Sequence, residues 1–453
     1  MKIVLFGAGS AQFGYGTLGE IFYSSLLTGA EVALVDINQQ ALDAVYKDGL
    51  TFIEKNKLDF KLSAYTDRKE ALKNADYVII SIETGERFRL WELDWKIPLQ
   101  FGIHQVYGEN GGPGGIFHAL RVTPPILDIC TDVSEICPDA VVFNYSNPMT
   151  AITTAVLRKY PDLKFIGMCH EIASLERYLP LILNTDSSNL KLRAAGLNHF
   201  SVLLEASYID TGKDAYPDIL EKAPAFFKEE IGMSDVWDYT RRTGIVPSTE
   251  GASERWDIDT EKAARAWSDR YLFRSILETY NLLPITTDSH LGEYIAWAQD
   301  AADHRGIIDF YEFYKLAMTQ RSWSEIKLEQ KERIIPIIEG IIQDQGFEEM
   351  AVNVMNNGSI PDFPDNVAVE VPAVVDKRGI TPLKFDSYPK GFGALIRNYA
   401  GVYDLTAEAI LTGRKDYIIQ AVLASPVVHK YHGIKEMVDT MLDNQREYLS
   451  YIV

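Results

Sequence analysis

Five short apolar runs punctuate residues 1–195: KIVLF (2–6), EVALVD (31–36), YVIISI (77–82), AVVFNY (140–145) and KFIGM (164–168). Each is rich in Val, Ile or Phe and bounded by Gly or polar residues, the pattern of a strand. Their apolar character is continuous, not alternating, so both faces of each strand expect burial, as in a parallel sheet. Helical patterns lie between them, among them NQQALDAVYKDGLTFIEKN and RKEALKNA. Strand and helix in alternation predict a doubly wound α/β domain over 1–195. Farther on, AGLNHFSVLLEASYID reads as a turn followed by a strand, and 214–345 as mostly helix. After NNGSIPDFPDN, the run VAVEVPAVV reads as a further strand, and 389–453 as helix again. Residues 196–453 are therefore expected to form a C-terminal α+β domain with a tight interface to the first.

Composition narrows the class. Of 453 residues, 47% are hydrophobic and 24% charged, a globular mix. No apolar run nears the ~18 residues of a membrane helix. The opening MKIVLFGAGS reads as a first strand and not a signal peptide. A net charge of −20 repels phosphate backbones and argues against nucleic-acid partners. The three cysteines, Cys130, Cys137 and Cys169, make no disulfide framework and suit a cytoplasmic setting. Cys130 and Cys137 share one helical pattern and are expected to be buried apolar fillers.

The first strand leads into GAGSAQFG, with Gly7, Gly9 and Ser10 between strand and helix. Glycines there let the backbone approach a pyrophosphate, and a helix N-terminus offers N–H donors to it. The third fingerprint position holds Gln12, a departure from the usual Gly or Ala. The second strand ends in Asp36, which would accept from ribose hydroxyls and repel a 2′-phosphate. Together these predict a Rossmann-like domain that binds NAD.

Four polar segments follow buried strands, at the sheet edge where ligands sit. They are the glycine-rich loop around Glu109 and Asn110, NYSNPM with Asn144 and Asn147, GMCHEI with Cys169, His170 and Glu171, and GLNH with Asn198 and His199. Cys169 and His199 form half of a shell that suits a transition metal. On spacing alone, such a pair is more often structural.

GAGS, GERFRLWELDWKIPLQFGI with GENGGPGGIFHALR, NPM, GMCHE, GLNH and VAVEVPA occur in one order over roughly 1–375. In these motifs the chain resembles glycoside hydrolase family four, the NAD- and manganese-dependent glycosidases. That family stands apart from the two-carboxylate glycosidases. The resemblance implies manganese, or another divalent metal, held by Cys169 and His199. It also implies a redox-neutral reaction: hydride leaves C3 of the sugar for NAD⁺, a base takes the C2 proton, and the C1 leaving group departs. Water then adds at C1, and hydride returns to C3.

The resemblance further implies roles for individual residues. His170 would assist the leaving group, and the segment 280–297 would supply the C2 base, Asp288 first and His290 second. The plainer reading of Asp288 is a cap on the helix that follows it. Asn147, Arg89, Glu109 and Asn110 would contact the sugar. Cys-His-Glu resembles the branch acting on α-linked uronic acids, which points to an α-galacturonide and then an α-glucuronide. An α-galactosidase or α-glucosidase of the same family is the alternative. Glu370, in VAVEVP, reads equally as a buried structural carboxylate. A homodimer or homotetramer is expected by resemblance. Two other classes compete: a malate- or lactate-type dehydrogenase, and a non-catalytic NAD sensor. RFRLWELDWK carries Arg87, Arg89 and Asp94 but lacks the following Arg that such a dehydrogenase needs.

Overall fold

The computed structural model describes residues 1–453 except 11–12, 170, 246–257, 267–269 and 321–324. Six strands pair in parallel: β1 (Lys2–Phe6), β2 (Glu31–Val35), β3 (Lys61–Tyr65), β4 (Tyr77–Ile80), β5 (Val141–Asn144) and β6 (Lys164–Gly167). Their spatial order is β3-β2-β1-β4-β5-β6, the doubly wound arrangement expected of a Rossmann-like domain. Every residue of β1, β4 and β5 is buried, as their unbroken apolar sequences require. β3, KLSAY, was not foreseen; it is an edge strand with no fully buried residue, so its sequence lacks an apolar run.

The sheet then continues with antiparallel strands from the later chain. These are β7 (Leu190–Leu197), β8 (Phe200–Tyr208), β9 (Phe347–Met355), β10 (Ala368–Asp376) and β11 (Gly379–Pro382). Beyond β6 the order is β9-β10-β7-β8, with β11 on the side of β10. Segment 190–208 is thus a hairpin and not a turn with one strand, and Leu197 faces Phe200 across the two-residue turn Asn198–His199. β9 also went unread, because FEEMAVNVM opens with two glutamates. Glu349 is fully buried there, its carboxylate held by the Arg333 guanidinium at 2.8 Å.

The two halves of the sheet meet at a single bridge, Gly167 to Asn353. A Cβ on Gly167 would sit 2.8 Å from the Met149 side chain and 2.9 Å from the Asn353 Cβ. Only glycine allows that approach. Helices cover the sheet, and the longest, Gly112–Ile136, is buried along most of its length. None of the described helices is long and apolar enough to cross a membrane. All three cysteines are free and buried.

The chain's last helices are tied to the first domain by a buried ionic knot. Arg121 donates to Asp94 at 3.0 Å and to the Gln445 side-chain oxygen at 2.9 Å, and Gln445 donates back to Asp94 at 2.8 Å. All three residues are nearly inaccessible. Arg121→Ala would leave Asp94 buried without its counter-charge, an expected loss of about 3–5 kcal/mol. Gln445→Ala removes a neutral partner and should cost about 1 kcal/mol. Urea midpoints of the two variants check the order; equal small shifts would refute it.

Candidate active site

The site lies where the parallel strands end and the β7–β8 hairpin folds against them. After β1, the N–H of Gly7 and of Ala8 donate to the Val35 carbonyl. The Gly9 N–H donates to Asp36 Oδ2 at 2.8 Å, and the Asn38 N–H to Oδ1. Ser10 Oγ accepts from the Phe13 N–H at 3.2 Å, the bond of a capping serine. Gly7, Gly9, Ser10 and Asp36 therefore gather at one sheet edge. Gln12 lies outside the described residues, and the helix–strand contact usually made by the third glycine falls to Gly14. A Cβ there would stand 2.0 Å from the Ala8 carbonyl oxygen.

The loop after β5 is pinned to the loop after β4. Ser146 Oγ accepts from the Ile82 N–H and donates to the Ile82 carbonyl, both at 2.8 Å. This leaves Asn147 Oδ1 buried with no hydrogen-bond partner among the described residues, and Asn110 Oδ1 is in the same condition. Buried acceptors of this kind are costly unless a ligand donates to them. Both residues were expected at the sugar.

Beyond β6, the Cys169 sulfur accepts from the Glu171 N–H at 3.4 Å. Burial, then the Glu370 and Glu171 carboxylates, push its thiol well above the usual value. A bound cation would reverse that, since metal coordination deprotonates a thiol outright. His170 lies outside the described residues.

His199 occupies the hairpin turn with φ 61°, a left-handed conformation uncommon for a residue with a Cβ. The turn is braced from below. Glu370 on β10 accepts from Ser201 at 2.6 Å, from Asn353 at 3.0 Å and from Asn198 at 3.1 Å. Glu370 is thus a buried carboxylate with three side-chain donors, the structural alternative raised for it. Tyr294 adds a bond to the Asn198 carbonyl at 3.3 Å.

Across from the turn, the His290 ring stacks on His199 with centroids 4.2 Å apart. Ligand atoms of Glu171, His199 and His290 all lie within 4.8 Å of one another. Two imidazoles and a carboxylate at that spacing, beside the Cys169 loop, suit a divalent transition ion. Burial alone would lower His290; Glu293, Glu171 and Glu109 overcome it and hold the ring up to about 9.

Glu109 is ion-paired, its Oε1 2.7 Å from the Arg87 guanidinium. Burial opposes its ionisation, but Arg87, His290 and His118 outweigh it and lower its pKa. Arg87 also donates to the Tyr314 hydroxyl at 3.0 Å. His118 Nδ1 donates to the Glu109 carbonyl at 2.8 Å, and its Nε2 lies 3.3 Å from the Glu83 carboxylate. Glu83 stays near 2 although burial pulls it upward, because His118 and Arg87 lie against it.

Two expected site residues are engaged within the fold. The Asp288 carboxylate accepts from the Leu272 and Phe273 N–H groups at 2.8 Å, so it caps the preceding helix, Tyr271–Tyr280, and not the one that follows it. Desolvation raises it to about 6 against those bonds. Arg89 is half-exposed and pairs with Glu86 at 3.3 Å, while Arg87, two residues earlier on the same helix, pairs with the buried Glu109. Glu293 and His118 were missed. The spacing His290–Glu293, one helical turn, was the available signal.

The family model "Family 4 glycosyl hydrolase" matches residues 2–185, and "Family 4 glycosyl hydrolase C-terminal domain" matches 194–428. An α-glucosidase from Erwinia rhapontici is 55% identical over 453 residues, covering 100% of this chain and 99% of that protein. An α-galacturonidase from Thermoanaerobacterium saccharolyticum is 26% identical, covering 99% of this chain and 96% of that protein. A 6-phospho-α-glucosidase from gut microorganisms, solved in complex with NAD and Mn²⁺, superposes with a TM-score of 0.76 at 19% identity, over 99% and 98% of the two chains.

Asp288→Ala should lower stability by about 1–3 kcal/mol through the orphaned N–H groups. Asp288→Asn, which keeps an acceptor, should lose less. Thermal unfolding of both checks the assignment; an Asp288→Ala variant as stable as the parent would overturn it.

Proposed function

This chain belongs to family 4 of the glycosyl hydrolases, and on that premise we propose that it is an NAD- and manganese-dependent α-glycosidase with a neutral α-glucoside as its preferred substrate. The observation that carries the choice of sugar is the charge of the site. Glu83, Glu109, Glu171 and Glu293 converge there, and among the described residues the guanidinium that reaches them, Arg87, is engaged by Glu109 and Tyr314. An anionic sugar needs a free cation to replace its water. The 55% identity to an α-glucosidase supports the same reading.

Gly7, Gly9, Ser10 and Asp36 would hold the dinucleotide, and Cys169 and His199 the metal. When bound, the nicotinamide supplies a reversible hydride acceptor and the divalent ion a Lewis acid for vicinal sugar oxygens. The chain's own contribution is placement and charge. Asn147 and Asn110 each offer a buried oxygen to a sugar hydroxyl. Arg87 keeps Glu109 ionised, so that it can accept from a hydroxyl but has no proton to give. Glu370 holds the hairpin turn and hence His199 in register.

A second reading, hydrolysis of an α-galacturonide, draws on the Cys169-His170-Glu171 sequence and on the 26% identical relative. Turnover of aryl α-glucoside, α-galactoside, α-galacturonide and α-glucuronide separates the two. The protein is supplied with NAD⁺, Mn²⁺ and a thiol reductant, each then omitted in turn. The α-glucoside should exceed either uronide by at least about 10-fold in kcat/KM, as loss of a pocket's electrostatic fit implies. Cleavage should occur without net NADH, and a uronide turned over faster would decide for the second reading.

Cys169→Ser and His199→Ala should each cut turnover by more than about 100-fold, the upper end of what a weakened metal shell costs. Full activity of both variants would argue against the metal site whatever the sugar.

A further inference from the structure

Glu293 is fully buried just after the short helix Asp288–Leu291 that carries His290. Its Oε2 accepts the N–H groups of both Asn110 and Gly111. Its Oε1 faces His290 Nδ1 at 3.3 Å. The approach is close: a Cβ on Gly111 would lie 2.7 Å from the Glu293 Cβ and from its carbonyl oxygen. One carboxylate therefore clamps the loop that carries Glu109 and Asn110 and also grips an imidazole.

The other face of that imidazole is turned to the metal-ligating cluster. His290 Nε2 lies 3.7 Å from Glu171 Oε1, and its ring stacks on His199. Asn110 Nδ2 also approaches Nδ1, at 3.5 Å, but it lies equally far from Glu109 Oε2. That distance is the outer limit of a hydrogen bond, so the acceptor Glu293 decides the ring: Nδ1 carries hydrogen. A histidine that gives Nδ1–H to a carboxylate presents the Nε2 lone pair to a metal.

We propose that His290 is a ligand of the metal beside His199 and Cys169, and that Glu293 orients it while holding the Glu109–Gly111 loop, so that metal side and sugar side are one unit. The proposal rests on the metal-dependent reading above. Glu293 touches neither metal nor sugar and is a positioning residue. Glu293→Gln separates its two duties. The amide oxygen can still accept from the loop, whereas the amide NH₂ now faces Nδ1 and places the ring hydrogen on Nε2, where a metal would be.

The test is Mn²⁺ titration followed by the electron paramagnetic resonance signal of the free ion. It uses the full chain and its His199→Ala, His290→Ala and Glu293→Gln variants. NAD affinity by fluorescence and the thermal midpoint serve as controls. His290→Ala and Glu293→Gln should each weaken Mn²⁺ by at least about 10-fold, with NAD affinity within about 2-fold of the parent. If His199→Ala loses the ion and either of those two does not, the proposal fails and the metal-dependent reading stands. If the parent binds no Mn²⁺, both fall. Should Glu293→Gln not fold, His290→Asn decides: it keeps a donor for Glu293 but lacks the distal nitrogen, and unchanged Mn²⁺ affinity overturns the proposal.

Discussion

The site depends on one close contact, the seam where Gly167 at the end of β6 meets Asn353 on β9. The missing side chain at 167 lets an antiparallel sheet join a parallel one two residues before Cys169. From that seam a line of polar contacts runs to the hairpin: Asn353 to Glu370, Glu370 to Asn198, and so to His199 in its left-handed turn. Strain at His199 persists because the surroundings over-determine it. Glu171 and His199 thus come within 4.8 Å of one another with the help of a strand, β10, that lies far later in the chain.

The second organising force is concentrated negative charge. Glu83, Glu109, Glu171, Glu293 and Glu370 are brought together against few cations among the described residues. Burying carboxylates is expensive, and each is compensated differently. Arg87 and His118 serve Glu109 and Glu83, backbone N–H groups serve Glu293, and side-chain amides with a hydroxyl serve Glu370. What remains faces His290 and His199, where a divalent cation would complete the balance. An acidic whole-chain charge of −20 accompanies this site but does not create it.

Legibility followed burial. Strands buried on both faces announced themselves, because only apolar residues survive there. β3 and β9 did not, since an edge strand needs no apolar run and a buried ion pair at Glu349 masks another. The same logic governed the site. Gly7, Gly9, Ser10 and Asp36 sit in a local strand–turn–helix unit, readable within a few dozen residues. The partners that Asp288 and Arg89 take, the N–H groups at 272 and 273 and the carboxylate at 86, were not legible, because they are facts of packing and of helix direction.

Chemistry written in contiguous letters was settled by the chain itself: alternating strands and helices, a glycine turn before a helix, an acidic residue closing β2, and motif order that marks the family. Covalent connectivity and short-range sterics suffice for those. Which nitrogen of His290 faces inward, which of two nearby arginines neutralises Glu109, and that Glu293 belongs to the site at all were decided only by folding. They depend on long-range contacts whose free energy comes from burying charge against a particular partner, and no local pattern encodes the partner.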